Sequence, residues 1–350
     1  MNTHDEFQLQ CPLPVSGDRV LLAHGGGGRL MQDLIRGIFL RSFDNEWLRR
    51  LHDGATFPVE GGTLAFTTDS YVVSPLFYPG GDIGSLAVHG TVNDLAMCGA
   101  MPLHLSAGFI LEEGLALDTL RKVVESMAKA AEGAGVQVIT GDTKVVDRGK
   151  GDGIYINTAG IGVVPPGVRI GPQELQPGDR ILLSGDLGSH GLAVMSVREG
   201  LRFTGEIESD SAPLHLVVRD LLECGASVHC LRDLTRGGLA SALNELAVSA
   251  QVGMTIEERL IPVREPVRGA CELLGLDPLY VANEGRFVVF VPDAHVEVAL
   301  AAMRRHGAAQ QAAQIGIVTV EHPSLVVLRT VLGTHRILDL LSGEQLPRIC

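Results

Sequence analysis

Three aspartates stand where regular elements are expected to stop. Asp69 closes the stretch TLAFTTD (63–69), Asp142 closes GVQVITGD (135–142), and Asp94 falls in the last turn of the helical stretch GSLAVHGTVNDLAMCG (84–99). A carboxylate in a last helical turn faces the negative end of the helix dipole, so it carries a cost unless it has a use. If the three converge, two carboxylates about 4 Å apart repel by roughly 4 kcal/mol at an effective dielectric near 20. A divalent cation removes that cost, and an all-oxygen ligand set selects Mg²⁺. A turn or a cap accounts for Asp69 or Asp142 taken alone; the three together point to a metal–phosphate site. Lys144, two residues past Asp142, is one of very few lysines and a plausible point charge for a phosphoryl oxygen, with a surface lysine as the equal alternative on spacing. Glu284, in ANEGR (282–286), precedes the apolar run RFVVFVP and is either a base at a strand mouth or a solvated turn residue. The sequence ends in GEQLPRIC (343–350), with a thiol on its last residue, Cys350. That is either a frayed end, since chain ends tolerate almost anything, or a reactive tether.

Glycine-rich turns surround these residues. YPGGDIGSL (78–86), HGGGGRL (24–30) and TRGGL (235–239) each put glycines before a helix, where free N–H groups and the positive dipole end attract anions. None has the P-loop or G-x-G-x-x-G spacing, and each alone is most simply a turn. The twelve histidines show no H-x-x-x-H spacing and are read as surface or core residues.

The elements that must position these groups can be read from hydrophobic periodicity. The chain has 350 residues, 45% hydrophobic and 4% aromatic, so two cores built from Val, Leu, Ile and Ala are expected. A net charge of −13 excludes a broad basic face for nucleic acid. Six scattered cysteines without a C-x-x-C pair, a polar start and no apolar run of about 18–20 residues predict a reduced, cytoplasmic protein without a membrane span. Residues 1–45 form a glycine-rich segment and an amphipathic helix whose apolar face is Leu30, Leu34, Ile35, Ile38 and Phe39. Strands and helices alternate over 46–165: strands at 63–69, 135–142 and 154–164, helices at 84–98 and 117–135. Four prolines and three glycines in 163–179 break the pattern, which then restarts over 178–335 with strands near 179–186, 252–258, 286–292 and 314–330. Helices are expected at 191–200, 213–223, 235–250, 266–274 and 294–306. Residues 336–350 form a tail. Both halves read as α+β domains of related design.

TTDSYVVSPLFYPGGDIGSLAVHGTVNDLAMCGAMP (67–102), TGDTKVV (140–146), DLTRGGLASALNELA (233–247), ANEGR and the terminal PRIC together resemble the HypE family of NiFe-hydrogenase maturation proteins. The N-terminal pattern is shared with the wider aminoimidazole ribonucleotide (AIR) synthetase-like, or PurM-like, superfamily; PRIC narrows it. The resemblance implies a two-domain PurM-like α+β fold, a homodimer whose N-terminal domains pair their sheets into an inter-subunit β-barrel, and a flexible C-terminal tail. It implies ATP in the adjoining cleft, Mg²⁺ held by Asp69, Asp94 and Asp142, and nucleotide contacts from Gly80, Gly81, Asn93, Thr140 and Gly141. It implies that HypF carbamoylates Cys350, that Lys144 and Glu284 serve an ATP-dependent dehydration of the thiocarbamate to a thiocyanate, and that cyanide passes to iron on a HypC–HypD complex. The tail then has an inward position for dehydration and an outward one for loading and delivery. The alternatives are a small-molecule synthetase or kinase of the same superfamily and a non-catalytic maturation scaffold.

Overall fold

The computed structural model describes residues 19–201, 203, 205–341, 346 and 348–350. Cys11, Pro347 and the residues 342–345 of the expected tether lie outside the described residues.

Residues 55–164 form a five-stranded sheet in the order β1-β2-β7-β5-β6. Its strands are β1 (Ala55–Val59), β2 (Gly62–Tyr71), β5 (Met101–Glu112), β6 (Gln137–Val146) and β7 (Ile154–Val164), with β3 (Phe77–Tyr78) and β4 (Gly81–Asp82) making a separate hairpin. Burial alternates residue by residue along β7, as period-2 side chains require when only one face is covered. The covering helices are α3 (Ile83–Met97) and α4 (Leu117–Gly133). Leu86, Val92 and Leu95 of α3 are fully buried. At Gly90 a Cβ would fall 2.3 Å from the Tyr71 hydroxyl, so the helix sits directly on β2. The other face of the sheet is open and carries exposed Phe66 and Ile110.

The strand 135–142 of the sequence reading extends to Val146, because β6 pairs in parallel with β5 as far as Glu112↔Val146. Asp142 is therefore mid-strand, and Asp69 lies two residues inside the end of β2. Strand β5, the middle of the sheet's hydrogen-bonding partners for both β6 and β7, is left unassigned by the sequence reading; Pro102, His104 and Gly108 interrupt its pattern, and a register shift falls between Pro102 and His104.

Residues 180–337 form a second sheet, ordered β14-β13-β10-β12-β8-β11-β9. Its strands are β8 (Arg180–Leu183), β9 (Cys230–Asp233), β10 (Gly253–Glu257), β11 (Phe287–Val291), β12 (Ala313–Thr319), β13 (Val326–Arg329) and β14 (His335–Ile337). β11 lies between β8 and β9 and is buried along its whole length, because helices pack on both sides. The helices are α5 (Ser189–Arg198), α6 (His215–Glu223), α7 (Gly238–Ala250), α8 (Glu265–Leu274) and α9 (Val296–Met303). The N-terminal helix begins as α1 (Arg29–Leu34), passes through a π-helical stretch (Ile35–Phe39) and ends as α2 (Leu40–Phe43). Its expected apolar face is not buried: Ile38 and Phe39 are exposed. Among the described residues no helix is long and apolar enough to cross a membrane.

Candidate active site between the two sheets

Buried carboxylates meet where α3, β9 and the turn before β1 converge. Ligand oxygens of Asp53, Asp94 and Asp233 all lie within 4.8 Å of one another. Burial, then the neighbouring carboxylates, pushes the Asp94 carboxyl well above its ordinary range; burial, then Asp53, does the same to Asp233. Burial raises Asp53 to about 6 against the opposing pull of Arg232. Among the described residues the cation paired with this set is Arg232, whose Nε is 3.0 Å from Asp53 Oδ1 and whose Nη2 pairs with Glu245. Thr67 Oγ1 donates to Asp94 Oδ2 at 2.7 Å. Asp53 Oδ2 is buried with no hydrogen-bond partner among the described residues. Three carboxylates and one orphaned oxygen at this spacing form an incomplete, cation-seeking oxygen set, which fits Mg²⁺.

Beside it lies the end of the chain. The Cys350 thiol is held well above its ordinary pKa, first by burial; Arg236 opposes this, while Glu284, Asp69 and Asp233 reinforce it. Glu284 is 3% exposed, Oε1 has no hydrogen-bond partner among the described residues, and burial followed by Asp233 and Asp69 drives its pKa well up. Its backbone N–H donates to Asp210 Oδ1 at 3.2 Å. Arg236, at the start of α7, walls two adjoining cavities of about 140 and about 190 Å³. The first also holds Gly25, Gly26, Gly237 and Cys350; the second holds His52, Arg232, Asp233 and Glu245. The HGGGG segment thus roofs the site, and Gly27 is required there: its φ is +74° and a Cβ would lie 2.7 Å from the Arg236 carbonyl oxygen.

The structure brings Asp69, Asp94, Glu284 and Cys350 into one region, but three of the expected groupings change. The first concerns Asp142, which does not join Asp69 and Asp94 within a chain. Asp69 registers with Thr158, Thr158 with Ala107 and Ala107 with Gly141, so Asp69 and β6 are three strand spacings apart, about 14 Å. Asp142 registers instead with Gly108, Asn157 and Ser70, on the opposite, open face. There it pairs with Lys144 at 2.8 Å, both side chains about two-thirds exposed or more (67% and 71%). Thr140 and Gly141 are exposed on the same edge strand.

The second change concerns Asn93, whose side chain is spent on backbone. Its Nδ2 donates to Ala212 O (3.0 Å) and Glu284 O (3.2 Å), and its Oδ1 accepts from Leu214 N–H (2.8 Å). It clasps the two halves of the chain, with both amide N–H donors spent on main-chain carbonyls.

Third, the Gly80–Gly81 turn is not an open anion site. Asp82 caps α3, accepting from Gly84 and Ser85 N–H, and Gly80 lies against the Ser209 backbone. A carboxylate already occupies the place an anion would take.

Sequence reasoning missed Asp53, Asp233, Arg232 and Arg236. Asp233 had a readable signal, since it ends a strand before TRGGL much as Asp69 nearly ends β2. Asp53, in an ordinary HDG turn, had none.

Two layered α+β halves with a carboxylate cleft between them define a superfamily. Residues 51–164 match the family model described as AIR synthase related protein, N-terminal domain, and residues 176–328 match the corresponding C-terminal domain. A structure of AaThiL with AMPPCP and TMP shares the fold at a TM-score of 0.64 and 18% identity. The carbamoyl dehydratase HypE of Azotobacter vinelandii is 55% identical over 338 residues, covering 97% of this chain and 99% of that protein. That of Escherichia coli is 47% identical over 338 residues, covering 95% and 100%. Among solved structures, a HypE–HypF complex superposes at a TM-score of 0.84 (47% identity, 88% of this chain and 99% of that one). HypE in complex with ATP superposes at 0.80 (51% identity, 95% and 100%). The chain is an AIR synthase-related protein, and within that class it belongs to the HypE family of carbamoyl dehydratases.

Proposed function

We propose that the protein carries its substrate on Cys350 and dehydrates it. HypF loads a carbamoyl group on the thiol; ATP then converts Cys350–S–C(=O)–NH2 to Cys350–S–C≡N, and the cyano group goes to the iron of a NiFe hydrogenase through HypC–HypD. The observation that carries this reading is the location of Cys350, docked against Glu284, Asp69 and Arg236 rather than projecting from the surface.

The chemistry balances. Phosphoryl transfer from ATP to the amide oxygen releases ADP and one proton from nitrogen, giving S–C(O–phosphoryl)=NH. Loss of the second N–H proton with departure of phosphate leaves the nitrile. Water leaves formally as the oxygen of inorganic phosphate. Such transfers rest on positioning and charge neutralisation. Mg²⁺ at Asp53, Asp94 and Asp233, with Asp69 beside them, would neutralise phosphoryl charge. Glu284, buried and with a raised pKa, is a stronger base once ionised than an exposed carboxylate, which suits it to take the nitrogen proton. Arg236 faces the same cavity and is placed to hold the developing negative charge on oxygen.

Lys144 and Asp142 lie on the far face of their own sheet, so they serve this site only from a second chain. β6 is an edge strand with Ile139 and Val145 exposed at 60% and 67%, next to an open sheet face bearing Phe66 and Ile110. Burying that face in a homodimer, with the two sheets closing into a barrel, would present one chain's Lys144 to the other chain's cleft. Among the described residues every cysteine is free, in keeping with a reduced, cytoplasmic setting.

Intact mass spectrometry after incubation with HypF, carbamoyl phosphate and ATP tests the reading. The expected result is a carbamoyl adduct on Cys350 that loses one water only when ATP is present. An unmodified Cys350, or an adduct on another cysteine, overturns it.

A further inference from the structure

The last three residues are held by their backbone. Val72 N–H donates to Cys350 O (3.1 Å), and Ser74 N–H donates to Arg348 O (3.3 Å). Arg348 Nε donates to Val72 O (3.0 Å), and its guanidinium pairs with Asp152. The tail therefore lies alongside residues 72–74. Ile349, 3% exposed, is its apolar anchor.

Helix α5 supplies further contacts. His190 Nε2 lies 2.9 Å from Ile349 O, and Arg198 Nη2 donates to Arg348 O at 2.6 Å. The same guanidinium reaches the Ser74 carbonyl oxygen through Nε at 2.8 Å, so it ties the tail to the segment it lies on. His190 is completely buried, and its ring meets Tyr78 edge-on with centroids 5.4 Å apart. Its Nδ1 is 2.8 Å from Ser209 Oγ. A ring nitrogen facing a carbonyl oxygen must carry the proton, so Nε2 donates to Ile349 and Nδ1 accepts from the Ser209 hydroxyl. Ser209 is itself fixed, its N–H donating to Pro79 O at 2.8 Å.

We propose that α5 is the latch that keeps the terminal sulfur in the site, with His190 and Arg198 as positioning residues that act through the tail backbone and not on the reacting group. The proposal rests on the reading that Cys350 carries the substrate. Because both side chains grip main-chain carbonyls, the latch holds thiol, thiocarbamate and thiocyanate alike. It sets where the sulfur is without reading what the sulfur carries.

The test uses full-length protein with Arg198→Met and His190→Phe, which keep bulk but lose the donors, and Arg198→Lys and His190→Gln, which retain one. Three rates are followed by mass spectrometry: iodoacetamide alkylation resolved by cysteine, carbamoyl loading by HypF, and single-turnover dehydration with ATP. Losing the charge-assisted Arg198 bond should raise Cys350 alkylation by about tenfold or more and slow dehydration by a similar factor, and losing the neutral His190 bond should do both by about three- to tenfold. Loading should be unchanged or faster, and Lys and Gln should restore part of both effects. Buried Cys98, Cys230 and Cys271 should stay protected. Unchanged Cys350 alkylation, faster dehydration, or equal exposure of the buried cysteines overturns the latch. If wild type takes no carbamoyl group on Cys350, the functional reading fails, while the alkylation arm still decides whether α5 holds the tail.

Discussion

Replacing Asn93 by alanine separates a structural clasp from a nucleotide contact. The substitution removes three hydrogen bonds at a residue 2% exposed and leaves Ala212 O, Glu284 O and Leu214 N–H without partners. Each buried group left unpaired costs about 1–3 kcal/mol. Allowing for relaxation, the loss is roughly 3–5 kcal/mol, enough to lower a melting temperature by roughly 10 °C in domains of this size. Denaturant titration and thermal melts measure that loss; calorimetric ATP titration below the melting range measures the nucleotide. ATP affinity should stay within about threefold, a change worth under about 1 kcal/mol. Dehydration should slow, because Glu284 loses one of the two hydrogen bonds that hold its backbone among the described residues. Asn93→Asp should be at least as destabilising, since it keeps an acceptor for Leu214 N–H but turns two donors into an oxygen facing two carbonyl oxygens. An Asn93→Ala protein that melts like wild type yet binds ATP ten times more weakly would refute this assignment.

Three further outcomes follow from the geometry. Asp233→Asn removes one of three mutually repelling carboxylates, so stability in EDTA should hold or rise while the stabilisation by Mg²⁺ shrinks, read from melts with and without the metal. Lys144→Ala and Glu284→Gln should each abolish dehydration alone; refolded together, mixed dimers should recover about a quarter of wild-type sites if Lys144 acts on the partner's cleft, and none if it acts in its own. His89, held neutral by burial, has its pKa lowered from 6.5 to about 4. The unfolded chain binds the extra proton first, so roughly 3 kcal/mol of stability is present above pH 6.5 and is lost as pH falls from there to about 4. His89→Gln should flatten that slope in acid denaturation curves.

The legible parts of this fold share one property: their signal is local. The apolar alternation of IYINTAGIGVV gives β7 its bounds, 154 to 164, and the Gly-bounded run 117–135 gives α4 to within two residues. β5 was illegible because Pro102, His104 and Gly108 break its alternation, while pairing on both sides holds it in place. The site divides the same way. Asp69, Asp94, Glu284 and Cys350 stand out by position in an element or in the chain, and they do gather. Whether Asp142 joins them depends on which face of β6 it takes and on how many strands separate β6 from β2, and both are fixed by register. Asn93 shows a second limit. An amide in a helix looks the same in sequence whether it is free or fully engaged, and only the distant carbonyls of Ala212 and Glu284 decide.

Arg348, Ile349 and Cys350 dock on the chain that bears them, and this changes the kinetics of whatever reaction occurs at the sulfur. A tethered group reaches its cleft as one end of the same molecule, at an effective molarity that no free ligand in the cell approaches. If Cys350 carries the group, as proposed, the step is first order within the assembled site, with no Michaelis constant for the carried group and with ATP as a saturable reactant. A soluble mimic of the carried group must compete with a neighbour that stays attached to the same molecule. Compounds that pry the tail from residues 72–74 would therefore interrupt the chemistry more readily than compounds shaped like the carried group.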